Sequence, residues 1–362
     1  MKRIYSVVVL LLVGIVFAQV AEASYHFSSY QGRPPIHVLG GGKKSPVGMT
    51  PSQIKSVYRL PPSGGHGTIV IVGAYKDTSI EKDLQLFSKQ FNLPACTEAS
   101  GCLTEHPMSS KISSNSGWAM ETSLDVEWAH AIAPTAKILL VEAATQSGAN
   151  LLSAVDYAAS VKDAASISMS WGGAEFPEEV SLDSHFKSVS GAPFFASSGD
   201  NGAGASWPAS SPNVIGVGGT SVQLWGSSVL EHAWSGSGGG VSIYEKEPAY
   251  QTAYSIPKAG GMRAVPDVSY DADPASGFAV VKNGSWYTVG GTSAGAPQWA
   301  AIAALGSGVH SQNLYTDKAS VQTGAYFRDI TSGTNGSCTY FCQARTHYDY
   351  VTGLGSPLTD VF

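Results

Sequence analysis

The chain has 362 residues, 13% of them charged, and 21 lysines and arginines against 27 aspartates and glutamates give a net charge of −6 at pH 7. This length suffices to bury a sizeable core, and a single α/β domain is plausible. The acidic balance provides no basic surface for nucleic acid, and nothing suggests a dedicated membrane or polyanion partner.

The N-terminus has the pattern of an export signal. Lys2 and Arg3 precede an apolar run over 7–18, and Ala21-Glu22-Ala23 forms an A-x-A cleavage site. We therefore predict a signal peptide over 1–23 and a secreted, extracellular protein. An uncleaved membrane anchor is the competing interpretation, but twelve apolar residues are too few to span a bilayer.

Apolar strands alternate with amphipathic helices along the first two thirds of the chain. Such alternation predicts an α/β fold with a doubly wound, mainly parallel sheet, flanking helices and right-handed crossovers. Asn283-Gly284, at the centre of 278–289, predicts a hairpin. The remaining predictions are strands over 68–74, 137–142, 166–171 and 192–197, helices over 151–161 and 178–189, and a capping box at Thr78–Glu81 opening a further helix.

Two acids share one face of a helix predicted to end near Pro134. Glu121 and Asp125 are four residues apart, where two like charges repel and a purely structural helix gains nothing. A pair that shares one proton would instead hold one acceptor and one donor. The alternative is a solvated acidic face that includes Glu127.

A third acid follows the strand predicted over 192–197. Asp200 lies in the glycine-rich loop Ser198-Gly199-Asp200-Asn201-Gly202. Loops at the ends of parallel strands are where open α/β sheets hold their ligands.

A serine stands at the start of a helix in Gly291-Thr292-Ser293-Ala294-Gly295-Ala296-Pro297. Small neighbours let a substrate approach Ser293, and the first-turn amides provide an electropositive spot for an oxyanion. The alternative is that Ser293 or Thr292 only caps the helix.

Together, the glutamate–aspartate pair, the Ser-Ser-Gly-Asp loop and the Gly-Thr-Ser-x-x-x-Pro motif resemble the sedolisin family, the serine-carboxyl peptidases of subtilisin-like fold. The resemblance implies that Ser293 is the nucleophile, Glu121 its general base, Asp125 the group that orients Glu121, and Asp200 the oxyanion donor. An aspartate donates only when protonated, so we expect an acidic pH optimum.

A subtilisin-type mechanism would need a histidine as base. His66 precedes a predicted strand rather than the helix that such a histidine needs, so we predict a loop residue. His130 is on the predicted helix of the acid pair but off its face, and a histidine would be charged at acidic pH.

The resemblance also implies a substrate-binding wall and a calcium site. The wall is formed by Ser170, Trp171 and Gly172, although Trp171 is equally compatible with a core position. One calcium ion would be bound by two aspartate side chains and three backbone carbonyls. The family usually has glycine at two of the carbonyl positions, which are Arg345 and His347 here, so a backbone angle specific to glycine is in question. The predicted ligands are Asp329, Ile330, Arg345, His347 and Asp349.

The domain arrangement departs from the family. We predict a short N-terminal extension over 24–48 and a catalytic domain over 49–362 that includes the calcium-binding loops, without a pro-domain of the usual length. How activity would be controlled is then an open question.

The four cysteines form two local pairs in sequence. Four cysteines allow three connectivities, and spacing favours Cys96 with Cys102 and Cys338 with Cys342. Export would permit both disulfides.

These features predict a secreted, monomeric endopeptidase that cleaves proteins or peptides at acidic pH. Two alternatives remain: an exopeptidase of the same family that releases tripeptides, and a catalytically silent, calcium-stabilised binding module.

Overall fold

The computed structural model describes residues 26–226, 228–306, 309–316 and 324–358. The predicted signal peptide over 1–23 lies outside these residues. Among the described residues, no helix is long and apolar enough to cross a lipid bilayer.

An eight-stranded sheet forms the centre of the protein. In chain order its strands are β2 (Thr68–Ala74), β3 (Leu103–Pro107), β4 (Lys137–Ala143), β5 (Ala164–Met169), β7 (Phe194–Ser197), β9 (Val214–Trp225), β10 (Ser228–Ala233) and β13 (Val268–Asp271). The spatial order is β10-β9-β7-β5-β2-β4-β3, and β13 pairs with β9. Only β10 runs antiparallel to its neighbour. The predicted doubly wound, mainly parallel sheet is confirmed.

The remaining strands form smaller sheets around this centre. They are β1 (His37–Lys43), β6 (Gly173–Ala174), β8 (Ser206–Trp207), β11 (Gly240–Lys246), β12 (Met262–Val265), β14 (Phe278–Lys282), β15 (Ser285–Gly290), β16 (Phe327–Arg328) and β17 (Ser356–Pro357). The predicted hairpin is β14–β15, and Asn283 and Gly284 at its turn have φ of 51° and 73°. Positive φ at both central residues is what a two-residue hairpin turn favours.

Helices cover both faces of the central sheet. They are α1 (Pro51–Tyr58), α2 (Ile80–Phe91), α3 (Ser116–Ile132), α4 (Gly148–Ala159), α5 (Ala249–Tyr254), α6 (Gly295–Leu305) and α7 (Ser311–Thr316). Side chains of β2 alternate between two cores: Ile69 and Ile71 pack with α2, α3 and α6, and Val70 and Val72 pack on the side of α4. A strand buried on both faces explains the uninterrupted apolar run in the sequence.

Two local predictions are wrong. The predicted capping box at Thr78–Glu81 does not form, because the N-cap residue Ser79 donates its backbone N–H and its hydroxyl to Asp77 instead of capping α2. The helix predicted over 178–189 is a 3₁₀ helix over Glu179–His185. There, the Glu179 carboxylate accepts from the backbone N–H of Phe176 at 2.8 Å, which ties the turn to the preceding loop.

Both predicted disulfides are present. Cys96 is bonded to Cys102, and Cys338 to Cys342. Each closes a short surface loop.

Candidate active site

Ser293 lies in the 3₁₀ turn Thr292–Ala294, directly before α6, and is fully buried. The preceding Gly291 has φ of 119°, a conformation that favours glycine. A Cβ atom on Gly291 would lie 2.2 Å from the carbonyl oxygen of Pro35 and 2.5 Å from Asp200 Oδ2. The two oxygens therefore face the same small space beside the serine, and only glycine leaves that space open.

The acid pair lies on α3, which begins after Asn115. The Asn115 side chain accepts hydrogen bonds from the backbone N–H groups of Gly117 at 3.0 Å and Trp118 at 3.2 Å, and so caps the helix. Glu121 and Asp125 follow along the face that points at Ser293, and each is at most 2% exposed. The alternative of a solvated acidic face is wrong.

Burial and mutual repulsion change the acidity of this pair. Burial raises the pKa of Asp125 to about 8, although hydrogen bonds from Ser170 and with Glu121 act to lower it. Burial and the Asp125 charge hold the pKa of Glu121 well above its usual range, while the Ser293 hydroxyl acts to lower it. Neither Glu121 oxygen has a well-aligned hydrogen bond within the described structure. The pair thus favours one shared proton over two negative charges.

Ser170 ties the acid pair to the nucleophile. Its hydroxyl lies 2.7 Å from Asp125 Oδ1, to which it donates, and 3.3 Å from the Ser293 carbonyl oxygen. The Ser293 hydroxyl in turn donates to the Ser170 carbonyl at 3.5 Å. The sequence assigned Ser170 only to the substrate-binding wall, and its contact with Asp125 could not be inferred from spacing.

Asp200 follows β7 and turns toward Ser293. Its Oδ1 accepts from both the backbone N–H and the hydroxyl of Thr292, each at 2.8 Å. Burial raises the pKa of Asp200, while contacts with His37 and Thr292 act to lower it. With both Thr292 donors on Oδ1, Oδ2 is the oxygen left to carry a proton.

His37 is a residue at this site that the sequence did not reveal. Its Nε2 lies 3.1 Å from Asp200 Oδ2, without the alignment of a hydrogen bond, and the ring is half exposed. The contact with Asp200 raises the pKa of His37, against the opposing effect of burial. No motif around His37 signals this contact, because it depends on the path of the N-terminal segment.

The predicted substrate-binding wall follows the carboxyl end of β5. The Trp171 side chain is fully buried and donates to the carbonyl oxygen of Val72 at 3.0 Å, so it belongs to the core. The backbone of Gly172 is half-buried and pairs antiparallel with Arg33.

The two histidines that could act as base in a subtilisin-type mechanism lie away from Ser293. His66 is an exposed loop residue before β2, as predicted. His130 is buried and bonds to the Pro94 carbonyl oxygen at 2.9 Å, and burial lowers its pKa.

The two halves of the predicted calcium site are adjacent. The backbone N–H of His347 donates to Asp329 Oδ2 at 2.9 Å, and that of Arg345 donates to Asp349 Oδ2 at 3.1 Å. Asp329 Oδ1 is buried without a hydrogen-bond partner in the described structure, as befits a metal ligand. His347 has φ of 65°, so it adopts the left-handed conformation although it is not glycine.

Asp349 organises its loop as well. Its Oδ1 accepts from the backbone N–H groups of Val351 and Thr352, and its Oδ2 accepts from Arg345 and the Thr352 hydroxyl. Asp329 therefore has an oxygen free to bind an ion. At Asp349, an ion would have to replace one of the four hydrogen bonds.

The chain is similar to several known proteins. The model of the subtilase family matches residues 59–323. Kumamolisin from Bacillus sp. (strain MN-32) is 31% identical over 357 residues, which cover 87% of this chain and 63% of that protein. Sedolisin from Pseudomonas sp. (strain 101) is 26% identical over 360 residues, covering 85% of this chain and 60% of that protein. The chain thus spans somewhat over half the length of these relatives.

A solved structure is also similar. Pseudomonas sedolisin, described as a serine-carboxyl proteinase complexed with two molecules of pseudo-iodotyrostatin, superposes with a TM-score of 0.72 at 27% identity. The match covers 86% of this chain and 96% of that one. The resemblance to sedolisins drawn from the motifs is confirmed, and the chain belongs to the subtilase family.

Proposed function

We propose that this protein is a serine-carboxyl endopeptidase that hydrolyses proteins or peptides at acidic pH. The observation that carries the proposal is the burial of Ser293 beside Glu121, Asp125 and Asp200, with His66 and His130 lying elsewhere and His37 in contact with Asp200. A serine hydroxyl is a weak nucleophile without an adjacent base, and Glu121 is the base within reach.

The acid pair is active when it holds a single proton. Ser293 Oγ attacks the substrate carbonyl and its proton passes to Glu121, while Asp125 keeps the proton that the pair already shares. Ser170 fixes Asp125 through its 2.7 Å hydrogen bond and so orients the pair. When the acyl-enzyme forms, Glu121 returns the proton to the leaving amine.

The negative charge of the tetrahedral intermediate forms between two donors. One is the backbone N–H of Ser293, and the other is protonated Asp200 Oδ2. In acyl transfer, such preorganised donors stabilise the oxyanion by several kcal/mol, and losing one costs about 2.7–4 kcal/mol.

Two protonation events bound the active pH range. As pH falls below the lower macroscopic pKa of the Glu121–Asp125 pair, both acids are neutral and the base is lost. As pH rises through the pKa of Asp200, the oxyanion donor is lost. Burial raises the pKa of Asp200 above its ordinary value of 3.8, so Asp200 stays protonated, and the enzyme active, to higher pH.

We further propose that the protein is secreted, acts as a monomer and binds one calcium ion. Calcium prefers six or more oxygen ligands. Those proposed are Asp329, Ile330, Arg345, His347 and Asp349. The unpartnered Asp329 Oδ1 supports the assignment, and the ion would offset the burial of both carboxylates.

The test is digestion of a denatured protein at pH 3, 5 and 7, with fragments identified by mass. Internal cuts that disappear in Ser293→Ala but persist in Ser153→Ala, a surface serine on α4, support the endopeptidase. Tripeptides released from one end support the exopeptidase instead, and no cuts at any pH favour the silent module.

A further inference from the structure

Asn335 is a buried polar residue to which neither the mechanism nor the proposed calcium site assigns a role. It lies between Asp329 and Arg345 in the chain and is only 4% exposed. Its backbone carbonyl accepts from the N–H of Ala203 at 3.0 Å, and its side-chain Nδ2 donates to the carbonyl oxygen of Ser237 at 2.7 Å. One residue therefore joins two separate loops.

The first of these loops, residues 198–204, carries Asp200, and we call it the oxyanion loop. It approaches Asn335 so closely that a Cβ atom on Gly202 would lie 2.5 Å from the Asn335 carbonyl oxygen. Gly202 also has φ of 74°, a conformation that favours glycine. Glycine at this position therefore permits the backbone contact with Asn335.

The second loop, centred on Ser237, runs beside the oxyanion loop. The Gly238 N–H donates to the Gly199 carbonyl oxygen at 2.7 Å, and the Gly202 N–H donates to the Gly236 carbonyl oxygen at 2.9 Å. Because the two loops are bonded to each other, the bond to the Ser237 carbonyl restrains both of them.

The oxyanion loop meets the turn of the nucleophile at Asp200. Asp200 Oδ1 accepts from Thr292, and the Gly199 N–H donates to the Thr292 hydroxyl at 3.1 Å. These contacts fix the start of the loop, and the Asn335 carbonyl fixes its end at Ala203. The position of the Asp200 carboxyl group depends on both anchors.

The loop that carries Asn335 is itself constrained. The Asn335 N–H donates to the Cys342 carbonyl oxygen at 3.0 Å, and Cys342 is disulfide-bonded to Cys338. The Ala344 N–H donates to the Gly333 carbonyl oxygen at 3.1 Å, which closes the base of this loop. Asn335 therefore presents its donor and its acceptor from a fixed backbone.

We propose that Asn335 is a positioning residue that holds Asp200 in place through the two loops it joins. The proposal deepens and rests on the proposed function, in which Asp200 stabilises the oxyanion. Such a donor is effective because it is preorganised for the transition state, so a loosened loop should lower kcat more than it changes KM.

A double-mutant cycle tests whether Asn335 acts through Asp200. Asn335→Ala removes the donor to Ser237, and kcat and KM for casein are measured in this variant, in Asp200→Ala and in the double variant. Tyr250→Phe is the control, because it also removes one side-chain donor to a backbone carbonyl, that of Pro212, but on α5.

We expect kcat to fall about tenfold in Asn335→Ala, the size of one lost hydrogen bond, with little change in KM. When Asp200 is already alanine, the same substitution should lower kcat less than about twofold, because the group it positions is gone. An equal loss in both backgrounds, or the same loss in Tyr250→Phe, would overturn the proposal.

Gly202→Ala perturbs the same contact from the oxyanion loop, where its Cβ would collide with the Asn335 carbonyl oxygen. The control is Gly191→Ala, which has a similar left-handed φ of 78° but no described atom within 4 Å of its Cβ. We expect a loss of at least about tenfold in kcat for Gly202→Ala alone. Melting curves verify folding, and if Asn335→Ala does not fold, the glycine pair decides. Equal kcat in the two glycine variants would contradict the proposal.

The ionisation of Asp200 provides a readout that does not need catalysis. Burial raises the pKa of Asp200, and the titratable groups that face it are His37 and Glu121. A loosened loop admits water to the carboxyl group, so the pKa of Asp200 should fall in Asn335→Ala and in Gly202→Ala. The pKa is read from the infrared band of the protonated carboxyl group that Asp200→Asn lacks.

This readout separates the positioning role from the proposed function. If no chain cleaves casein at any pH, but the pKa of Asp200 falls in the two variants and not in their controls, the positioning role is supported and the endopeptidase is rejected. If the pKa of Asp200 is the same in every chain, Asn335 does not position Asp200 and the proposal is wrong.

Discussion

The Ser170 hydroxyl donates to Asp125 Oδ1 at 2.7 Å while it also faces the Ser293 carbonyl at 3.3 Å. One side chain thus connects the acid pair to the turn that carries the nucleophile. Ser170 therefore connects the predicted substrate-binding wall to the groups that transfer the proton.

Ser170→Ala should therefore impair turnover and shift its pH dependence. Without this donor, which acts to lower the pKa of Asp125, that pKa rises, and the acidic limb of the kcat profile moves to higher pH. We expect a loss of about tenfold in kcat, which corresponds to about 1.4 kcal/mol and is of the size of one hydrogen bond. Ser168→Ala is the control, since the Ser168 hydroxyl is buried without a partner in the described structure. A profile in Ser170→Ala that matches that of Ser168→Ala would contradict this role.

Asp200 provides a test of the oxyanion donor. Asp200→Ala should reduce kcat by about two to three orders of magnitude. Asp200→Asn keeps an N–H donor that does not titrate, so activity should fall less and the alkaline limb of the profile should move upward or disappear. If the alkaline limb of the Asp200→Asn profile matches that of the wild type, a group other than Asp200 determines that limb.

Removing calcium should destabilise the C-terminal loops. A chelator is expected to lower the melting temperature of the wild type, because bound ion stabilises only the folded state. Asp329→Asn should be less stable in calcium and lose most of its response to the chelator. Asp156→Asn, at a half-exposed carboxylate on α4, serves as the control and should respond like the wild type. An unchanged wild-type melting curve would refute the site.

Folding stability should decrease as pH rises from about 4.5 to 8. Burial, together with the nearby Glu175 charge, raises the pKa of Glu179 to about 9, and burial with the Asp183 and Glu175 charges raises that of Glu245 to about 8. Because these folded-state pKa values exceed the unfolded ones, the folded state binds more protons, and this stability is lost with rising pH.

Glu179→Gln should weaken the decrease of the melting temperature with rising pH. The neutral amide keeps an acceptor for the Phe176 N–H but does not titrate. Glu98→Gln, at an exposed carboxylate, should retain the wild-type slope. Equal slopes in both variants would show that the buried carboxyl group is not responsible.

The elements that could be predicted correctly from the sequence are those whose conformation is determined by neighbouring residues. The apolar run of β2 and the Asn283-Gly284 turn encode their own conformation, and the helical spacing of Glu121 and Asp125 places both on one face. The helix predicted over 178–189 does not form as an α-helix. There, the Glu179 carboxylate accepts a long-range hydrogen bond from the Ser210 hydroxyl, which competes with helix propensity and has no local signal in the sequence.

The features that sequence missed depend on distant segments that meet only in the fold. Ser170 and Asp125 are brought together because α3 packs on β2, the strand next to β5, and neither residue carries a sign of the other. The pairing of the Arg33 and Gly172 backbones is a further case, since nothing in either segment signals the other.

The central claim is that carboxyl groups, rather than an imidazole, activate Ser293. The most direct measurement is the initial rate of casein hydrolysis at the optimum pH in Glu121→Gln, compared with Glu127→Gln on the same buried helix and with a His66→Gln, His130→Gln double variant. We predict a loss of at least about a hundredfold in Glu121→Gln alone, with the other two close to wild type. Retained activity in Glu121→Gln, or its loss in the histidine variant, would contradict the account.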